Sequence, residues 1–170
     1  MPLVQVRIDD RLIHGQVVVG WRNALRPQRI MLCSDDVAHS EWQRTIYMSA
    51  VPNDIAASVL SSQQTIDALN SNKFHDERVI LLVDTPRTIV ELVQAGVQIL
   101  DVNIGGMHFK PGKNQIAPFI FVDQQDIEHF KMLHKMGIRL EGRDVPTRTP
   151  IDIAKVLNFA DDSEEIREVS

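Results

Sequence analysis

Residues 79–83 read Val-Ile-Leu-Leu-Val, an unbroken apolar run. Neighbouring side chains in a strand point to opposite faces, so a strand of this composition has no face to show to water. The interior of a parallel sheet, covered by helices on both sides, is where such strands occur. A strand is therefore predicted over Arg78–Val83, broken by Asp84, Thr85 and Pro86. The rest of the chain must supply its neighbours and two covering layers.

The remaining sequence alternates short β-branched runs with longer stretches of helical spacing, the pattern of an α/β fold. Further strands are predicted over Leu3–Ile8, Arg29–Cys33, Ile55–Leu60, Val97–Asn103, Pro118–Val122 and Ile138–Val145. Between them, helices are predicted over Gln16–Leu25 and Val37–Ser49, from Ser61 or Ser62 through Leu69, over Thr88–Ala95, from an Asp123 cap through Met136, and from Pro150 to Leu157. Trp21 and Trp42 fit helix faces and are expected in the core. Gly96 and Gly137 fall where helices end. The expected architecture is a three-layer α/β/α domain with a mainly parallel, open central sheet of about seven strands.

At 170 residues a chain buries about 70% of its unfolded surface in one core. One domain is expected over 1–160, followed by an acidic tail over 161–170 that is read as solvated. The net charge of −5 speaks against nucleic acid or an anionic membrane as the main partner. The start of the chain lacks the basic-then-apolar plan of a signal peptide, and no apolar run approaches the ~20 residues that span a bilayer. A cytoplasmic protein is expected, held at a membrane only through partners. The single cysteine, Cys33, lies in an apolar run and reads as a buried thiol.

The chemistry concentrates in Val4–Val19, VQVRIDDRLIHGQVVV. An apolar strand gives way to a charged loop, then His14, Gly15, Gln16 and a helix start. A loop entering a helix exposes N–H groups without intrahelical partners, which favour an anion. The helix dipole contributes only ~0.3–1 kcal/mol, whereas each hydrogen bond to a charged group contributes about 1.5–3 kcal/mol. Amides of Gly15 and Gln16 plus a nearby arginine, Arg11 or Arg7, would thus do most to hold a phosphoryl group on His14. Arg7 fits the opposite sheet face equally well by periodicity. Asp9 or Asp10 is placed to accept one ring N–H and fix the imidazole tautomer. Gly15 leaves room for close approach of phosphate. The residues alone leave a second reading open, in which the acidic pair is a charged turn and His14 a surface histidine.

The stretch RIDDRLIHGQV, Arg7 to Val17, resembles the phosphohistidine signature of the mannose/fructose/sorbose family of EIIB components of the phosphoenolpyruvate-dependent sugar phosphotransferase system (PTS). RVILLVDTP, VNIGGMHF (Val102 to Phe109) and VDQQDIEHFKMLHKMGIRLE (Val122 to Glu141) fall where that family has matching elements. The resemblance implies a phosphocarrier. His14 would take phosphate from a phosphohistidine on an EIIA component and pass it to a sugar presented by EIIC and EIID membrane subunits. Arg11 stands three positions before the histidine, where the family has a phosphate-holding arginine. Asp10, Gly15 and Gln16 also match the motif; their individual roles, Asp10 orienting the ring among them, are inferred from geometry. The resemblance implies no cofactor and leaves homodimer formation open.

Other residues carry weaker signals. The remaining histidines, His39, His75, His108, His129 and His134, show no metal-ligand spacing. His108 is singled out because the loop after the fifth strand opens on the same sheet edge as the His14 loop. Gly105 and Gly106 either cradle phosphate or supply a positive φ, the second being favoured. Asp84 and Thr85 end their strand on that edge. Two other functions compete with sugar uptake: a regulatory phosphocarrier without a permease, and a binding module in which His14 is never phosphorylated.

Overall fold

In the computed structural model, residues 3–159 are described, so the expected tail over 161–170 lies outside them. The central sheet has seven strands in the order β3-β2-β4-β1-β5-β8-β9. These are β1 (Leu3–Asp9), β2 (Arg29–Cys33), β3 (Ala56–Leu60), β4 (Val79–Val83), β5 (Asp101–Gly106), β8 (Arg139–Gly142) and β9 (Ile151–Asp152). All neighbours are parallel except β8 and β9, which pair antiparallel. The fully apolar β4 lies inside the sheet between β2 and β1, and every one of its residues is buried.

Helices cover both faces. A π-helical turn (Gln16–Gly20) running into α1 (Trp21–Leu25), with α2 (Asp35–Ala38) and α3 (Glu41–Ser49), lies on one side. There Val17, Val18, Trp21 and Val37 pack on Ile30, Leu32, Ile80 and Leu82. On the other side α4 (Ser62–Asn70), α5 (Pro86–Gln94), α6 (Gln124–Lys135) and α7 (Ile153–Val156) bring Ile89, Leu92, Phe130 and Leu133 onto Ile8, Leu81 and Ile104. Capping boxes at Ser61–Gln64 and Asp123–Asp126 start α4 and α6. From β1 the chain crosses to β2 on one side, and from β4 to β5 on the other. The winding thus reverses around β1, which opens a crevice at its carboxyl end.

Several expected elements take another form. The helix expected over Val37–Ser49 is two helices, broken at His39 and Ser40, and Trp42 is 66% exposed. Trp42 and Ile46 do share a face, but α3 turns it outward; periodicity reveals which residues share a side, not which side faces the core. The strand expected over Val97–Asn103 begins four residues later and takes in Gly105 and Gly106. The strand expected over Pro118–Val122 is a hairpin outside the main sheet, β6 (Asn114–Ala117) against β7 (Ile120–Val122). Instead, the seventh strand of the main sheet is β9, where Pro150 was expected to open a helix; α7 starts only after Asp152, whose side chain accepts from the Lys155 amide. The strand expected to reach Val145 stops at Gly142, for a reason that belongs to the site.

The two tryptophans should behave oppositely. Trp21, 5% exposed, should lose about 3–5 kcal/mol of stability on truncation to alanine. Trp42→Ala should change stability by no more than about 0.5 kcal/mol. Urea unfolding of the two variants beside the wild type checks both expectations.

Candidate functional site

The first strand alternates Gln5, Arg7 and Asp9 on one face with Val6 and Ile8 on the other. In an edge strand the polar face would be wet. Here β1 is central, and Arg7 and Asp9 are fully buried beneath the π-turn and α1. They must find partners inside the protein, and they do. Arg7 Nη1 donates to Asn103 Oδ1 at 2.6 Å and to the Arg143 carbonyl at 3.0 Å. Its Nη2 donates to Asp9 Oδ2 at 3.1 Å and to the Asp144 carbonyl at 2.9 Å. The guanidinium lies 5.4 Å from the centre of the Trp21 ring, and Trp21 Nε1 donates to the same Asp144 carbonyl at 3.1 Å. This explains the early end of β8: the carbonyls of Arg143 and Asp144 turn away from the ladder to receive Arg7 and Trp21.

Asp9 is the junction between this buried cluster and the loop. Its Oδ1 accepts from the Arg11 amide at 3.1 Å and from Arg11 Nε at 3.0 Å. Its Oδ2 accepts from Arg7 and from Arg11 Nη2, and lies 3.0 Å from His14 Nε2. Burial alone would raise the Asp9 pKa, but the hydrogen bonds from His14 and Arg11 and the charges of Arg7 and Arg11 overcome it and hold the carboxyl well below the ordinary range. Burial also depresses the Arg7 pKa, against the opposing pull of Asp9. Two guanidinium groups thus share this one carboxylate beside His14.

The loop holds its shape through Asp9 and two apolar anchors. Leu12 and Ile13 are buried against the α1 layer. Leu12 takes a left-handed φ of 61°, a conformation that costs about 1–2 kcal/mol for a residue with a Cβ, and its amide donates to the Asp9 carbonyl at 2.9 Å. His14 emerges 19% exposed with Arg11 31% exposed beside it.

A bulge completes the arrangement. Ile8 pairs with Ile104, but Asp9 pairs with Gly106, so one β1 step is matched by two residues of β5. An extra residue of this kind re-aims the side chains that follow it. A Cβ on Gly105 would lie 2.0 Å from Arg7 Cζ, and one on Gly106 would lie 3.2 Å from both Arg11 Nη2 and Asp9 Oδ1. Both glycines thus make room for arginines. Neither has a positive φ, which corrects the expectation made for them.

The site residues expected from sequence therefore separate. Arg11 and His14 meet on Asp9, and it is Asp9, not Asp10, that contacts the ring. Asp10 instead binds His108, through a short Oδ1–Nδ1 contact and a 2.7 Å bond from the His108 amide to Oδ2. Arg7 is sealed in the core, so it supports Asp9 from below rather than reaching phosphate. Gly15 sits at the helix start with no atom within 4 Å of a Cβ placed there, and Gln16 opens the π-turn. Asp84 follows Val83, the partner of Ile8, at the same edge; burial raises its pKa. Thr85 is the N-cap residue of α5, its hydroxyl 3.3 Å from that of Thr88. Cys33 is buried, which pushes its thiol up to about 11. Sequence reasoning missed Asn103, Trp21 and the carbonyls of Arg143 and Asp144. The polar alternation of a central strand was the available signal for them. Among the described residues no group of three or more His, Cys, Asp or Glu side chains is arranged to hold a metal ion, and no helix is long and apolar enough to cross a membrane.

Gly105→Ala should destabilise the protein by about 1–3 kcal/mol by driving a methyl into the Arg7 guanidinium, while Gly15→Ala should be far milder; urea midpoints distinguish them. The depressed pKa of Asp9 fixes a second expectation. Its contribution is complete above the unfolded carboxylate value of about 3.9 and drains away as pH falls below it toward the folded value. Stability measured against pH should therefore fall less steeply below about pH 4 in Asp9→Asn than in the wild type. Equal slopes would show that Asp9 is not held in this way.

The family described as "PTS system sorbose subfamily IIB component" matches residues 3–167. The sorbose-specific EIIB component of Klebsiella pneumoniae is 37% identical over 158 residues, 93% of this chain and 96% of that protein. The fructose-specific EIIB component of Bacillus subtilis (strain 168) is 37% identical over 157 residues, 92% of this chain and 96% of that protein. In three dimensions the crystal structure of the IIBSor domain of the Klebsiella pneumoniae sorbose permease superposes with a TM-score of 0.88 at 36% identity, covering 95% of this chain and 99% of that one. With a match this long, over a fold of the same plan, the chain belongs to the sorbose-subfamily IIB components of the PTS.

Proposed function

We propose that His14 is the phosphohistidine of this PTS phosphocarrier. It receives the phosphoryl group from a phosphohistidine on an EIIA component and delivers it to a sugar presented by EIIC and EIID membrane subunits. The observation that carries this reading is the 3.0 Å contact of His14 Nε2 with a carboxylate that also holds Arg11. Asp9 stays ionised and only accepts, so Nε2 carries the proton and the ring lone pair lies on Nδ1. That nitrogen attacks phosphorus in line with the departing nitrogen of the donor: an Nδ1–P bond forms as the donor's N–P bond breaks, and the donor ring keeps the electron pair.

The chain's other contributions are alignment and charge. Arg11, partly exposed and prepositioned on Asp9, meets the phosphoryl oxygens, joined by the amides of Gly15 and Gln16. A carrier must also release its cargo, and one shared guanidinium holds less tightly than a metal or a closed phosphate loop would. The equal 37% identity to sorbose- and fructose-specific relatives suits a carrier whose sugar is selected by the membrane subunits. We place the chain in the cytoplasm, docked on those subunits, with one carrier domain over 1–160.

Incubation with phosphoenolpyruvate, enzyme I, HPr and a cognate EIIA tests the reading. Acid-labile, alkali-stable label is expected on the wild type and none on His14→Gln. Arg11→Ala should fold and take up label about tenfold more slowly, the loss of one hydrogen bond to a charged group. A wild type that takes no label from several EIIA proteins overturns the proposal, and wild-type kinetics in Arg11→Ala removes the role given to Arg11.

A further inference from the structure

The carboxyl edge of the sheet holds a second histidine–carboxylate pair. Asp9 and Asp10 are adjacent at the end of β1; the first contacts His14, the second His108. The bulge in β5 determines where His108 points. After Gly105 and Gly106 have both faced the arginines, Met107 returns to the buried core and His108 falls on the site side of the sheet. The Asp10 amide donates to the Gly106 carbonyl at 3.1 Å, and the His108 amide donates to Asp10 Oδ2 at 2.7 Å. The ring is thus clasped to the loop that presents Arg11 and His14. Nδ1 faces Asp10, and the side chain is 58% exposed, with no described partner on Nε2.

We propose that His108 is a catalytic residue of the transfer, its Nε2 meeting an oxygen of the phosphoryl group on its way to or from His14. With a proton on each ring nitrogen, Nδ1–H donates to Asp10 and Nε2–H to the phosphoryl oxygen. The electrostatics give it a purpose. Around His14, Arg7 and Arg11 are balanced by Asp9 and Asp10, and Arg7 is sealed below, so a proton on His108 is what gives this loop a surplus positive charge. A transferring phosphoryl group brings further negative charge, spread over its outer oxygens. A second cationic donor, held by its own counter-ion and open to solvent, meets that charge without burying another ion. Asp10 then has a definite part: it positions His108, as Asp9 positions His14.

The proposal rests on His14 as the phosphohistidine, and the test separates the two. Full-length wild type, His108→Ala, His108→Asn and His108→Gln are phosphorylated with phosphoenolpyruvate, enzyme I, HPr and EIIA, and circular dichroism verifies that each is folded. The asparagine amide matches the Nδ1 side of the ring and keeps the Asp10 clasp without a group at Nε2; the glutamine amide reaches the Nε2 position. His108→Ala and His108→Asn should both take up label about tenfold more slowly than wild type, with His108→Gln recovering part of the rate. Wild-type rates in His108→Ala, or in His108→Asn while His108→Ala is slow, overturn the phosphoryl contact, the second result because it leaves only the clasp. Absence of label on the wild type removes the carrier reading itself, and His108 with it.

Discussion

One buried carboxylate organises this protein's active edge. Asp9 takes hydrogen bonds from Arg7 below, from the amide and guanidinium of Arg11 beside it, and from His14 above. Removing two ions such as Arg7 and Asp9 from water carries a desolvation penalty that their attraction offsets only when geometry and hydrogen bonding are nearly complete. Asn103, two turned-out carbonyls and the Trp21 ring satisfy both terminal nitrogens of Arg7, while its buried Nε has no hydrogen-bond partner among the described residues. Such a cluster adds little net stability compared with an apolar replacement. What it supplies is a fixed orientation for the His14 ring.

The glycines show how closely backbone and charge are fitted. A glycine pair beside a suspected phosphate site invites a reading in terms of phosphate. Gly105 and Gly106 instead lie in a bulged strand whose missing side chains leave space for guanidinium groups. The same bulge returns Met107 to the core and brings His108 to the surface. One inserted residue therefore sets the positions of two cations and a histidine.

Much of this was legible in the sequence, for definable reasons. Val79–Val83 announced a central strand because a short, β-branched apolar run bounded by turn residues leaves no strand face for water, and the strand–loop–helix junction at His14 stood out by its abrupt change in polarity. The exposure of α3, the swap of β9 for the hairpin and the early end of β8 were not legible. Each depends on contacts between distant segments, and local periodicity holds no record of them. Among the site residues, the choice between Asp9 and Asp10 turned on strand alternation. Asp9 shares the inward face with Arg7, while Asp10 begins the turn and reaches β5. Periodicity leaves the place of Arg7 open because it allows either sheet face; only the position of β1 at the sheet centre shows that its polar face is enclosed.

The partners of Arg7 lie far along the chain: Asn103 is 96 residues downstream and Asp144 is 137. As the polypeptide leaves the ribosome, the strand carrying Arg7 and Asp9 emerges before these partners, and its charges wait for the 137 residues up to Asp144 before they can be enclosed. A chain cut short before Asp144, or stalled with β8 undocked, leaves Arg7 without the carbonyls that receive it, and Asp9, which contacts His14, without its enclosed support. The ordering of the His14 ring thus depends on contacts that only the later strands of the sheet supply.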